Sequence, residues 1–179
     1  MLPRELHGPN KVVFWRPDAA QDFVERARVP YPHLDPDFIS QICYEHPDRF
    51  DQLLPGFNVD ECRAVRRARS AGWVYDFVRW DDGDLPDMWA TQFDQYLEAG
   101  NVSYPVFSHM SARGSFPFPP VVVDCDVARR LGITVVPGAP FHLVEGCHRV
   151  SYLRRMLERA LVSRDSEVEV IEIVDGGDV

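Results

Sequence analysis

The stretch LVEGCHRVSYLRRM, residues 143–156, sets an acid, a glycine, a thiol, an imidazole and a guanidinium in a row: Glu145, Gly146, Cys147, His148 and Arg149. Beyond them Val150, Leu153, Leu157, Ala160 and Leu161 recur as one helical face, so a helix is expected to begin near Cys147. The first-turn N–H groups of a helix have no intrahelical acceptor and carry partial positive charge. Gly146 lets a ligand approach the backbone closely, and His148 and Arg149 add donors at the same end. Such an arrangement suits phosphate or another anion. The same field lowers a thiol pKa, which favours a nucleophilic thiolate at Cys147. Glu145 reads as a helix-start acid, as a metal or base residue, or as a merely solvated carboxylate. The plainer reading of these five residues is a strand–glycine–helix junction, with Cys147 a small buried hydrophobe and Arg149 paired to a carboxylate.

Other chemistry-bearing residues give weaker signals. His109, in FSHMSARG, is a lone histidine in a stretch that reads as loop. Ser151 has no base beside it. Asp81-Asp82-Gly83-Asp84 resembles part of a calcium loop but lacks the later glutamate, and it reads as a turn with a helix cap. Arg63, Arg66, Arg67 and Arg69 form a basic face on what reads as a helix, and pairing within the molecule is expected for them. Cys43, Cys62, Cys125 and Cys147 form no CxxC. Apart from the adjacent Cys147 and His148, no two cysteines or histidines stand at ligand spacing, so no metal site is expected.

The elements that must position the 145–149 loop follow from periodicity and punctuation. Residues 121–124 (VVVD) and 141–145 (FHLVE) read as strands, 126–132 as a short helix or turn, 147–162 as a helix and the alternating 167–174 (EVEVIEIV) as a strand. Upstream, 73–80 (WVYDFVRW) reads as a strand by its aromatic and β-branched content. A helix then follows with Asp84 as cap, Pro86 in its first turn, and Met88, Trp89, Phe93, Tyr96 and Leu97 as its stripe; Gly100 stops it. Residues 101–120 read as a long loop whose Phe107, Met110, Phe116 and Phe118 either cap the core or form an exposed patch.

In the first part of the chain, 12–16 reads as a short strand. A helix capped by Asp18 buries Phe23, Val24 and Ala27, and a second, starting at Asp35-Pro36, buries Phe38, Ile39 and Ile42 and breaks near Pro47. Residues 58–72 read as a third helix closed by Gly72. The expected organisation is a mainly helical extension over 1–72, able to pack on the rest as one core, and a β-α-β-α-β-α-β domain over 73–179.

With 179 residues, 45% of them apolar, the chain can bury a sizeable core. A net charge of −9 speaks against nucleic acid or anionic membrane as partners. Lys11 is the sole lysine, so any phosphate site must use arginine, histidine, backbone N–H groups or a metal. No stretch has the ~20 apolar residues of a membrane span. Reduced thiols in a cytoplasmic setting are expected.

FPPVVVD followed by PFHLVEGCHRVSYLRRM and a final strand resembles the ParB/sulfiredoxin superfamily over residues 73–174, with 101–120 as an insertion. Sulfiredoxins carry Gly-Gly-Cys-His-Arg where this chain has Glu145-Gly146-Cys147-His148-Arg149; related kinases carry Asp-Gly-His-His-Arg. The resemblance implies a mixed α/β fold and a nucleotide partner whose phosphates meet Gly146, His148 and Arg149. It further implies a nucleoside triphosphate with Mg²⁺ as cofactor, and Cys147 and Glu145 as catalytic groups of a phosphotransferase or a thiol-based reductase. The sulfiredoxin lysine has no counterpart here. The alternative is a catalytically inactive module that uses the same fold to recognise a protein partner.

Overall fold

The computed structural model describes residues 2–9, 18–80, 87–100 and 102–176. The expected strand at 12–16 and the 81–84 turn, with its Asp84 cap and Pro86, lie outside the described residues. The fold is mixed α/β. Five strands, β1 (Cys62–Ser70), β2 (Val78–Arg79), β3 (Val121–Asp124), β4 (Phe141–Glu145) and β5 (Glu167–Asp175), form one sheet in the order β1-β5-β3-β4-β2. The β1/β5 and β3/β4 pairs are antiparallel, whereas β3/β5 and β2/β4 are parallel.

Each face of the sheet is covered, because each carries buried aliphatics at alternate positions. Val121, Val123, Val144, Ile171 and Ile173 face a layer built by α1 (Asp18–Arg28), α2 (Pro36–Phe38) with the π-type turn Ile39–Tyr44 that continues it, α3 (Phe50–Leu53) and α7 (Cys125–Arg130). Val122, Leu143, Val168 and Val170 face α4 (Ala71–Phe77), α5 (Asp87–Ala99), α6 (Pro105–Arg113) and α8 (Cys147–Glu158). The first 72 residues thus cover one face and also supply a strand, which pairs with β5 along its whole length, from Cys62 opposite Asp175 to Ser70 opposite Glu167.

Several expectations are corrected. Residues 62–70 are strand β1, not a helix. Ala64 and Arg66 point to one face and Arg67 and Arg69 to the other, and pairing with β5 outweighs the helix preference of Ala and Arg, which is worth only tenths of a kcal/mol per residue. Gly72 closes nothing; it lies in the first turn of α4, where a Cβ would meet Arg164 O at 3.1 Å. Residues 71–77 are helical because the Ser70 hydroxyl caps them, accepting from Trp73 N at 3.1 Å, and only Val78 and Arg79 are extended.

The 101–120 segment contains α6, with Pro105 in its first turn and Gly114 as a left-handed cap at φ 68°. Phe107, Met110 and Phe116 are buried in the core and Phe118 is half-buried, so these side chains cap the core rather than form an exposed patch. Met88 is exposed while Trp89, Phe93, Tyr96 and Leu97 of its expected stripe pack inward. The last helix ends at Glu158, where Ala160 takes φ 55°, and leaves Leu161 exposed.

The expected helix start at Asp35-Pro36 is present: Asp35 Oδ1 accepts from Asp37 N at 2.8 Å. Arg66 pairs with Asp35, Asp37 and Glu169, and Arg67 and Arg69 with Glu172, so these arginines are neutralised within the molecule, from a strand rather than a helix.

Candidate functional site

Strand β4 ends at Glu145, and the chain turns through Gly146 into α8. Gly146 has φ 109° and ψ 24°, a region that side-chain-bearing residues avoid. A Cβ there would also lie 2.7 Å from Pro120 Cβ and 2.9 Å from Arg149 Nη2. Both backbone and space therefore dictate glycine.

The FPP segment before β3 forms the floor under this turn, and its three carbonyls are tied to three different elements. Phe118 O accepts from Arg149 Nη1 at 3.2 Å, Pro119 O from Gln41 Nε2 at 3.0 Å, and Pro120 O from Ile171 N at 2.9 Å. Helix α8, the π-type turn and β5 thus converge on the floor of the loop. Sequence spacing carries no sign of Gln41, which lies far upstream.

No side chain caps the start of α8, whose first bond runs from Val150 N to Gly146 O at 3.0 Å. The site residues divide by depth. Arg149 is buried, its side chain 3% exposed, and Glu145 Oε1 stands 3.5 Å from its Nη2. Burial pulls the guanidinium pKa down, while Glu145, Glu45, Asp37 and Tyr104 oppose that pull. Arg149 thus supports the loop from beneath.

His148 is half-buried with its ring against Trp89. Desolvation holds its pKa below the ordinary histidine value; Glu145 pulls it up and Arg149 pushes it further down. The shift favours the neutral form of the ring. Cys147 is half-buried, whereas the free thiols of Cys43, Cys62 and Cys125 are buried.

Two clefts flank the loop. One, of about 210 Å³, is walled by Trp80, Trp89, Tyr104 and Val106 and reaches Glu145 through Arg149. The other, of about 370 Å³, is lined by Arg49, Gln52, Thr134 and His142 as well as Glu145, Gly146 and Cys147. Trp80 and residues 145–147 border both. The loop itself was visible in the sequence; these walls were not, since they come from separate segments with no common spacing.

The remaining candidates stand apart. His109 sits on α6, its pKa lowered by burial and by Arg113, and lines neither cleft. Ser151 is buried on α8, and its Oγ makes no hydrogen bond among the described residues. Among the described residues no group of three or more His, Cys, Asp or Glu is placed to hold a metal ion, and no helix is long and apolar enough to cross a membrane. Comparison of the chain with protein-family models, with curated proteins and with solved structures gives no match.

Proposed function

We propose that this chain is a nucleotide-binding protein of the ParB/sulfiredoxin type, taking the phosphates of a nucleoside triphosphate with its Mg²⁺ at the 145–149 loop. One observation carries the reading: an uncapped helix start, entered through a glycine that packing leaves no room to replace, opens between an aromatic cleft and a polar one. The helix start offers N–H donors and positive potential to a phosphate, and the aromatic walls offer a stacking surface to a base. The His148 ring adds an N–H donor beside the loop. Arg149 holds the loop through Phe118 O and adds positive charge from below.

Two chemistries suit the half-buried groups of the loop. Glu145 would take the proton of an acceptor hydroxyl during phosphoryl transfer, or the Cys147 thiolate would attack a phosphorylated sulfinic ester and displace phosphate. A second reading, an inactive binding module on the same fold, draws support from the commitment of Arg149 to internal partners. Titration of the full chain with ATP, GTP and CTP in the presence of Mg²⁺, by calorimetry and by melting temperature, tests the proposal. Binding of at least one, lost in Gly146→Ala and weakened in His148→Ala, is the expected result. No heat and no shift with any of the three at millimolar concentration would sink it. Turnover then separates the readings: Cys147→Ser abolishes a thiol reaction, Glu145→Gln a phosphoryl transfer, and binding without turnover leaves the module.

A further inference from the structure

The larger cleft holds a guanidinium that makes no side-chain hydrogen bond or ion pair among the described residues. Arg49 lines it, is exposed, and makes no ion pair among the described residues. Other arginines behave differently: Arg66, Arg69 and Arg155, for example, are each tied to carboxylates. Arg49 is also firmly based, because Phe50 and Leu54 beside it are 1% and 0% exposed in the core. Gln52 and Thr134 add neutral polar groups to the wall, and among the described residues the one carboxylate there, Glu145, faces Arg149. In a chain of net charge −9, an unpaired, well-anchored cation in a polar cleft marks the place where an anion is attracted.

Size gives the second indication. The aromatic cleft, about 210 Å³, falls below the roughly 300–1,000 Å³ usual for a complete ligand site, whereas the polar one, about 370 Å³, lies within it. They share Trp80, Glu145, Gly146 and Cys147 as a common border, so a ligand that crosses this border would reach both. Its flat, apolar end matches Trp80, Trp89 and Tyr104, and its charged end matches Arg49.

We infer that the polar cleft is a polyphosphate site in which Arg49 grips the outer phosphates of a nucleotide whose base and sugar lie in the aromatic cleft. This rests on the nucleotide reading above and adds to it a residue from the first 72, outside the span of the family resemblance. Arginine suits the task because its planar fork donates two parallel hydrogen bonds to phosphate oxygens.

The test compares adenosine, AMP, ATP and inorganic tripolyphosphate by calorimetry on the full chain, as wild type, Arg49→Ala and Arg49→Lys. Arg49 is exposed, so the variants should fold, and matching melting curves verify it. The expected result is a loss of about ten- to hundredfold in affinity for ATP and tripolyphosphate in Arg49→Ala, the worth of a charge-assisted hydrogen bond. Arg49→Lys should recover part of it, and adenosine binding should not change. ATP and tripolyphosphate binding to Arg49→Ala within twofold of wild type would overturn the inference and leave the nucleotide reading intact. Wild type that takes tripolyphosphate through Arg49 but none of the nucleotides would overturn the nucleotide reading and keep the polyphosphate site. Wild type that binds neither overturns both.

Discussion

Replacing Gly146 by alanine should destabilise the protein by an amount that can be worked from its surroundings. Alanine at φ 109°, ψ 24° occupies a sparsely populated region, which costs about 1–3 kcal/mol. Its Cβ would overlap Pro120 Cβ at 2.7 Å, and Pro120 cannot withdraw freely because its carbonyl is bonded to Ile171 N. Overpacking of this kind adds about 1–3 kcal/mol. The sum, about 2–6 kcal/mol, corresponds to a melting point lower by roughly 4–24 °C in a chain of this size.

Gly138→Ala is the control. Gly138 has φ 79° but nothing within 4 Å of a Cβ, so it isolates the backbone contribution. Differential scanning calorimetry of both variants against wild type reads the difference directly. Gly146→Ala should melt several degrees below Gly138→Ala. Equal melting points would refute the claim that Pro120 closes the space under the loop, and with it the account of why glycine stands there.

Further expectations concern packing, capping and charge. Met110→Ala, at a fully buried position of α6, should cost about 2–5 kcal/mol in urea denaturation; a loss below 1 kcal/mol would mean that α6 is not part of the core. Ser70→Ala removes the cap of α4 and should cost about 1 kcal/mol, while Ser70→Gly should cost only a few tenths. Asp94 is held down to about 2 by hydrogen bonds from Arg155 and Arg159, so its pairing stabilises the fold above the ordinary aspartate pKa of about 3.9 and is lost as pH falls towards 2. Asp94→Asn should therefore be less stable than wild type at pH 7, by up to about 1 kcal/mol for such a partly exposed pair, and equal to it near pH 2. The His148 imidazole should titrate below 6.5 by NMR. Its pKa is lowered in the folded chain, so its protonation on unfolding makes stability fall as pH drops through 6.5; a midpoint at or above 6.5 contradicts its desolvation against Trp89.

What the sequence determined by itself is the local frame of the loop. β3, β4, β5 and the start of α8 follow from short apolar runs and one amphipathic stripe, and Asp35 caps its helix by a contact two residues along the chain. Helix α6 is read as loop from the sequence, although Pro105 in the first turn and Gly114 beyond the last are ordinary helix punctuation, overshadowed by the Ser, Pro and aromatic content around them. Tertiary structure decided the rest. CRAVRRARS has an adequate helix preference and becomes a strand because β5, about a hundred residues later, offers alternating partners and carboxylates for its arginines. WVYDFVRW has strand composition and becomes mostly helix once Ser70 caps it and Ala71 and Val74 are buried under the sheet.

The clefts beside Glu145 and Cys147 depend wholly on such long-range placement. Arg49, Trp80, Trp89, Tyr104 and Thr134 share no spacing, and Gln41 reaches the loop only through the carbonyl of Pro119. Capping and periodicity act between residues a few positions apart and can be read along the chain. A cavity wall is set by which distant segments the sheet brings together, and only the folded molecule specifies that.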